Sequence, residues 1–216
     1  MDPESGAVFM PFGNVDIDDP NDSNDPLFDV NPDLNLNNDP MLNLNTACNS
    51  LYYGDSDFSN LSANSMSDLR LLHLNIRSLP KNNDALTVYL SNMTLKFHVI
   101  AITETWLNSE TCDLSFLSPD YEHVKKYRVT RKGGGVSLFV HKSLTFNVLP
   151  ELSMLNDAME SLFIEIPPAS TLEKPTVIGV MYRPPNNNIT TFVSDHLNAI
   201  LSHPTILTKT SWAILM

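Results

Sequence analysis

Basic residues are missing from the first third of this chain: residues 1–68 hold thirteen Asp and Glu and no Lys or Arg. All 13 Lys and Arg therefore fall in 69–216, beside the remaining 12 of the 25 acids, so the first segment carries −13 and the second +1. With no basic patch at its start and no long apolar run, neither a secretory signal nor a membrane span is expected. The 2 cysteines, Cys48 and Cys112, are far apart and lack ligand-like neighbours, which argues against a disulfide framework or a zinc site. Glycine is scarce at 7 residues, and three of them are consecutive, Gly133-Gly134-Gly135. That triplet lacks the GK[ST] ending of a phosphate loop and opens no helix, so it reads as a tight turn. There is no internal repeat, and an intracellular location is the default expectation.

The two segments differ in texture as well as charge. Residues 1–68 are rich in Asn, Asp, Ser and Pro, with turn-forming pairs such as Asp19-Pro20, Asp25-Pro26 and Asn31-Pro32. Such a stretch buries too little apolar surface to offset the entropy of ordering it, and is expected to be an acidic disordered leader. Its apolar clusters, among them Leu51-Tyr52-Tyr53, leave open a partner-binding tail. Asp16, Asp18 and Asp22 do not form a calcium loop, because the turn glycine and the closing glutamate are missing.

From residue 69 short apolar runs alternate with turn signals. Strands are expected at 69–76, 99–103, 136–141, 161–166 and 176–182, with an edge strand at 121–129. Pro80 suits the first turn of a helix, and Leu86, Tyr89, Leu90 and Met93 give 84–95 helical spacing. A second helix is expected at 190–201, and a further strand near 205–207. This order points to an α/β protein with mixed sheets.

Polar residues stand at the ends of three buried strands, where a side chain projects above a rigid sheet: Asn75, Glu104 and Tyr182. A carboxylate there can ligate a hard cation, a carboxamide can orient it, and a tyrosine hydroxyl can donate to a phosphoryl oxygen. Taken singly, each has a bland explanation: a turn cap, a solvated acid, a packing ring. In order and with their flanks they say more.

The blocks LNIRSL, ITETWL, GGGVSLFV, ESLFIEI and YRPP, spread over 71–185, resemble the endonuclease/exonuclease/phosphatase superfamily. In particular they are similar to the apurinic-type endonuclease domain of non-LTR retrotransposons. The resemblance implies a two-sheet β-sandwich flanked by helices, in four layers, over 69–216. It implies that Asn75 arranges metal and phosphate, that Glu104 binds a divalent Mg2+ or Mn2+, and that Tyr182 hydrogen-bonds the scissile phosphate. It implies DNA as partner, with Arg77, Arg131, Lys132 and Arg183 on its backbone, no membrane, no small-molecule cofactor, and a nuclear location if functional.

The family's Gly-Asp-Phe-Asn and terminal Asp-His motifs do not occur where expected. After residue 207 the chain reads Thr-Lys-Thr-Ser-Trp-Ala-Ile-Leu-Met, and the expectation is a domain truncated at its C-terminus and inactive alone. Ser194-Asp195-His196 spells the terminal motif but lies in the helix after YRPP, where it reads as a surface pair. Two other readings stay open: a phosphatase of the same superfamily, and a non-catalytic protein that uses its acidic leader to bind a partner.

Overall fold

The computed structural model describes residues 69–93, 95–129, 133–168, 170, 174–185, 188–207 and 211–216. The acidic leader, Arg131 and Lys132 lie outside the described residues. The elements in chain order are β1 (Leu71–Asn75), α1 (Leu79–Ser91), β2 (Val99–Thr103), β3 (Tyr121–Lys126), β4 (Val136–His141), β5 (Asn147–Val148), β6 (Glu160–Ile166) and β7 (Thr176–Tyr182). A helical stretch follows as α2 (Ile189–Thr191), a π-helical segment (Phe192–Leu197) and α3 (Asn198–Leu201). Then come α4 (Pro204–Leu207) and β8 (Ser211–Leu215).

These strands form two four-stranded mixed sheets, ordered β1-β2-β4-β3 and β5-β6-β7-β8. β1 runs parallel to β2, and β7 parallel to β8, while the other pairs are antiparallel. The period-2 alternation of strand side chains sorts each strand's residues between two faces. Val99, Ala101, Leu138 and Val140 of the first sheet meet Leu162, Ile164, Ile178 and Val180 of the second in a shared core. The opposite face of the first sheet, with Ile100, Ile102 and Phe139, packs on Leu79 and Leu86 of α1. The opposite face of the second, with Phe163, Val177 and Met181, packs on Phe192, Ile200 and Ile206. β2 and most of β4 are therefore buried on both faces, which is why both read as continuous apolar runs. No helix among the described residues is long and apolar enough to cross a membrane.

Several sequence boundaries are corrected. The first helix has Pro80 in its first turn as expected, with the Ser78 side chain accepting from Lys81 N–H, but it ends at Ser91, short of 95. The edge strand ends at Lys126, since Arg128 turns inward to meet Glu160. The expected helix at 190–201 contains the π-helical segment, where Asn198 N–H reaches back five residues to Val193 O. Residues 205–207 lie in a helical turn that begins at Pro204, a residue suited to a helix start, and the strand lies later, at 211–215.

Gly179 illustrates how tightly the second sheet is packed. It pairs with Phe163 across β6 and β7, and a Cβ added there would stand 2.1 Å from the Phe163 ring. Phe163 is fully buried, so the ring has nowhere to retreat. Gly179→Ala is expected to destabilise the protein by about 1–3 kcal/mol, the usual cost of overpacking. A urea melt with an unshifted midpoint would show that the ring relaxes freely.

Candidate active site

Parallel pairing of β1 and β2 sets Asn75 opposite Thr103, one residue before Glu104. β7 of the other sheet ends at Tyr182. The three side chains converge: Asn75 Nδ2 donates to Glu104 Oε1 at 3.1 Å, and the Tyr182 hydroxyl donates to the same oxygen at 3.0 Å. One carboxylate oxygen thus joins the ends of both sheets. Asn75 is exposed, while Glu104 and Tyr182 are half-buried.

The backbone beneath them is held in uncommon conformations. Arg77, Ser78, Glu104 and Trp106 have φ of 45°, 100°, 53° and 51°. Left-handed non-glycine residues are costly and persist only where their surroundings over-determine them. Here Ser78 N–H donates to Glu104 O at 2.9 Å and Leu79 N–H to Thr105 O at 2.8 Å. On the other side Thr105 N–H and Trp106 N–H donate to Gly135 O and Gly134 O, at 3.2 and 2.9 Å. The Glu104 loop is therefore clamped between the β1–α1 connection and the glycine turn.

Burial, then the charge and hydrogen bond of Glu104, then the charge of Glu160, push the Tyr182 hydroxyl up to about 12, against the pull of Arg128. At neutral pH the hydroxyl stays protonated and able to donate.

Beside the three residues lies a cavity of about 350 Å³. Its wall combines His73, Asn75, Thr103, Tyr182 and Arg183 with the apolar Met181, Ile189, Phe192, Val193, Leu197 and Met216. Burial lowers His73 to about 4, so its imidazole is neutral at physiological pH. Arg183 lines the cavity. Arg77 is exposed in the adjoining loop and does not line the cavity. Ser194 and Asp195 are exposed on the π-helical segment, and Ser194 Oγ donates to Asp195 Oδ1 at 2.6 Å, apart from this site. Sequence reasoning missed His73 and the apolar wall. It also missed Arg128 and Glu160, an ion pair behind the glycine turn. Glu160 opens the ESLFIEI block directly opposite Tyr182, a signal that was present but reads as an ordinary strand-end acid.

Among the described residues no group of three or more His, Cys, Asp and Glu side chains could hold a metal. A single half-buried carboxylate, pre-oriented by Asn75 and Tyr182, suits a magnesium-like ion, which keeps several waters and takes one or two carboxylates.

No family model matches the chain and no curated protein matches it. Solved structures similar to it include the crystal structure of the AP endonuclease LMAP from Leishmania major, at 15% identity and a TM-score of 0.39. That match covers 61% of this chain and 48% of the other. The crystal structure of ANGEL2, a 2',3'-cyclic phosphatase, matches at 10% identity and a TM-score of 0.31, covering 55% and 41%. The chain spans about half the length of each, at 48% and 41%.

Proposed function

We propose that residues 69–216 form the metal-binding half of a phosphodiesterase site acting on DNA, of the kind found in the endonuclease domain of non-LTR retrotransposons. The sandwich with helices on both outer faces is, on this reading, the four-layer fold of the endonuclease/exonuclease/phosphatase superfamily. The observation that carries the proposal is the meeting of Asn75 and Tyr182 on one oxygen of Glu104 from two different sheets.

In this arrangement Glu104 offers a negative oxygen to the cation, and Asn75 holds that carboxylate in one orientation. A bound Mg2+ or Mn2+ supplies positive charge against the phosphoryl oxygens. Tyr182, protonated, would turn its single O–H from Glu104 Oε1 to a phosphoryl oxygen as charge builds there. Arg183, on the cavity wall, is assigned by this reading to the phosphate backbone of the DNA. Glu104 is the one carboxylate placed in this cluster and His73 the imidazole on the cavity wall, and hydrolysis by these residues alone is expected to be near background. Binding, not turnover, is the fitting readout.

The test is fluorescence anisotropy of a labelled DNA duplex with the 216-residue chain, with and without Mn2+. Metal should tighten binding, Glu104→Gln should abolish that gain, and Tyr182→Phe should weaken the metal-dependent complex about 10-fold. That is the loss expected for one hydrogen bond to a charged group. With +1 on 69–216 and −13 on the leader, metal-free affinity should be low and fall little further with salt. Binding indifferent to metal and to both substitutions would sink the proposal. Preferential competition by a phosphomonoester would move the substrate to the phosphatase branch.

A further inference from the structure

Glu160 is fully buried at the first position of β6, an unusual place for a carboxylate. Its two oxygens are both used. Oε1 accepts from Arg128 Nε, with Arg128 Nη2 in ion-pair contact but off the line of a hydrogen bond. Oε2 accepts from the backbone N–H of Gly135. The residue belongs to one sheet, yet its carboxylate grips the turn that leads into β4 of the other.

That turn is shaped for the grip. Gly134 and Gly135 adopt φ of 68° and 88°. A Cβ on Gly134 would meet Glu160 Oε1 at 2.5 Å, and one on Gly135 would meet Thr105 Oγ1 at 2.3 Å. The backbone must come this close for the carboxylate to reach it, and only glycine allows that. The same two glycines accept from Thr105 and Trp106, the residues next to Glu104. In register across β6 and β7, Glu160 also faces Tyr182.

We propose that Glu160, with Arg128, is a positioning residue: a strut between the sheets that sets where Glu104 stands relative to Tyr182. Resting on the functional reading above, this assigns the metal site a supporting layer in the opposite sheet. A buried ion pair is weak evidence for stability, since well-packed apolar replacements are often neutral or better. Its geometric consequence here is specific. Without it the glycine turn loses its anchor, and Glu104 loses one side of its clamp.

Two double variants of the full chain separate position from stability. Arg128→Met/Glu160→Leu removes the charges and the acceptor for Gly135. Arg128→Gln/Glu160→Gln removes the charges but keeps a carbonyl in place. In the first, amide hydrogen exchange at Thr105 and Trp106 should speed up by at least about 10-fold while that of Ala101 in β2 stays unchanged. Mn2+ affinity should drop by about 10–100-fold, as when a ligand's outer support is lost. The glutamine pair should restore both to within a few-fold of the parent. Unchanged exchange at Thr105 and Trp106, or equal acceleration at Ala101, would overturn the strut. Should Mn2+ affinity prove insensitive to Glu104→Gln, the metal reading fails instead, and the exchange comparison still decides the role of Glu160.

Discussion

Glu104→Gln is expected to lower Mn2+ affinity by at least about 100-fold while leaving the fold intact. The substitution is isosteric, and the new amide oxygen can still accept from Asn75 Nδ2 and the Tyr182 hydroxyl. What disappears is the charge, the feature a hard cation requires of its oxygen ligand. Altering an outer-shell partner alone costs about 10–100-fold in metal affinity, and Glu104 is the carboxylate on which those partners converge. Calorimetric titration with Mn2+, alongside thermal melts of both proteins, checks it. Parent-like affinity in the variant would remove Glu104 from the metal site. A large fall in melting temperature with preserved affinity would make it a structural residue of the strained loop instead.

Acid is expected to unfold this protein through its histidines well before the carboxylates dominate. Burial lowers His73 from 6.5 to about 4. His123 is lowered from 6.5 to about 4 as well, first by burial and then by the charge of Lys125. Each is more readily protonated in the unfolded chain, so the stabilising effect is complete above 6.5 and is lost as pH falls from 6.5 through 4. At roughly 1.4 kcal/mol per unit, each histidine accounts for about 3 kcal/mol across that window. His123 has the clearer physical basis: its ring stacks on Phe139 at 4.1 Å and meets Phe116 edge-on at 5.9 Å, leaving little room to hydrate a cation. Urea melts from pH 7.5 to 4.5 should show stability falling steeply below 6.5, with about half the slope lost in His123→Gln. A flat profile between pH 7 and 5 would show that both imidazoles reach solvent when charged.

Much of this was legible in the residues themselves. β2, β4 and β7 were readable because burial on both faces leaves no polar interruption to confuse the pattern, and their observed limits match the apolar runs. Asn75, Glu104 and Tyr182 could be singled out because each ends such a run, where the chain leaves the sheet. The stretch after Tyr182 was harder. A π-helical segment has nearly the same apolar spacing as an α-helix, and the pattern at 192–201 does not separate them. The apolar residues of 205–207 suit a strand or a helical turn equally, and Pro204 decides the matter locally.

Composition and pattern on their own determined the change of charge at residue 69, the alternation of strands and helices, and which polar side chains end buried strands. These are properties of local spacing and of burial, which each segment carries within itself. Only the tertiary structure decided that Asn75 and Tyr182 share one oxygen of Glu104, because that contact spans 78 residues between Glu104 and Tyr182 and depends on how two sheets pack. It alone decided that Glu160, spelled like any strand-end acid, would be buried against Arg128 and the glycine turn. A carboxylate's surroundings, not its place in the sequence, set whether it is solvated, a ligand or a strut.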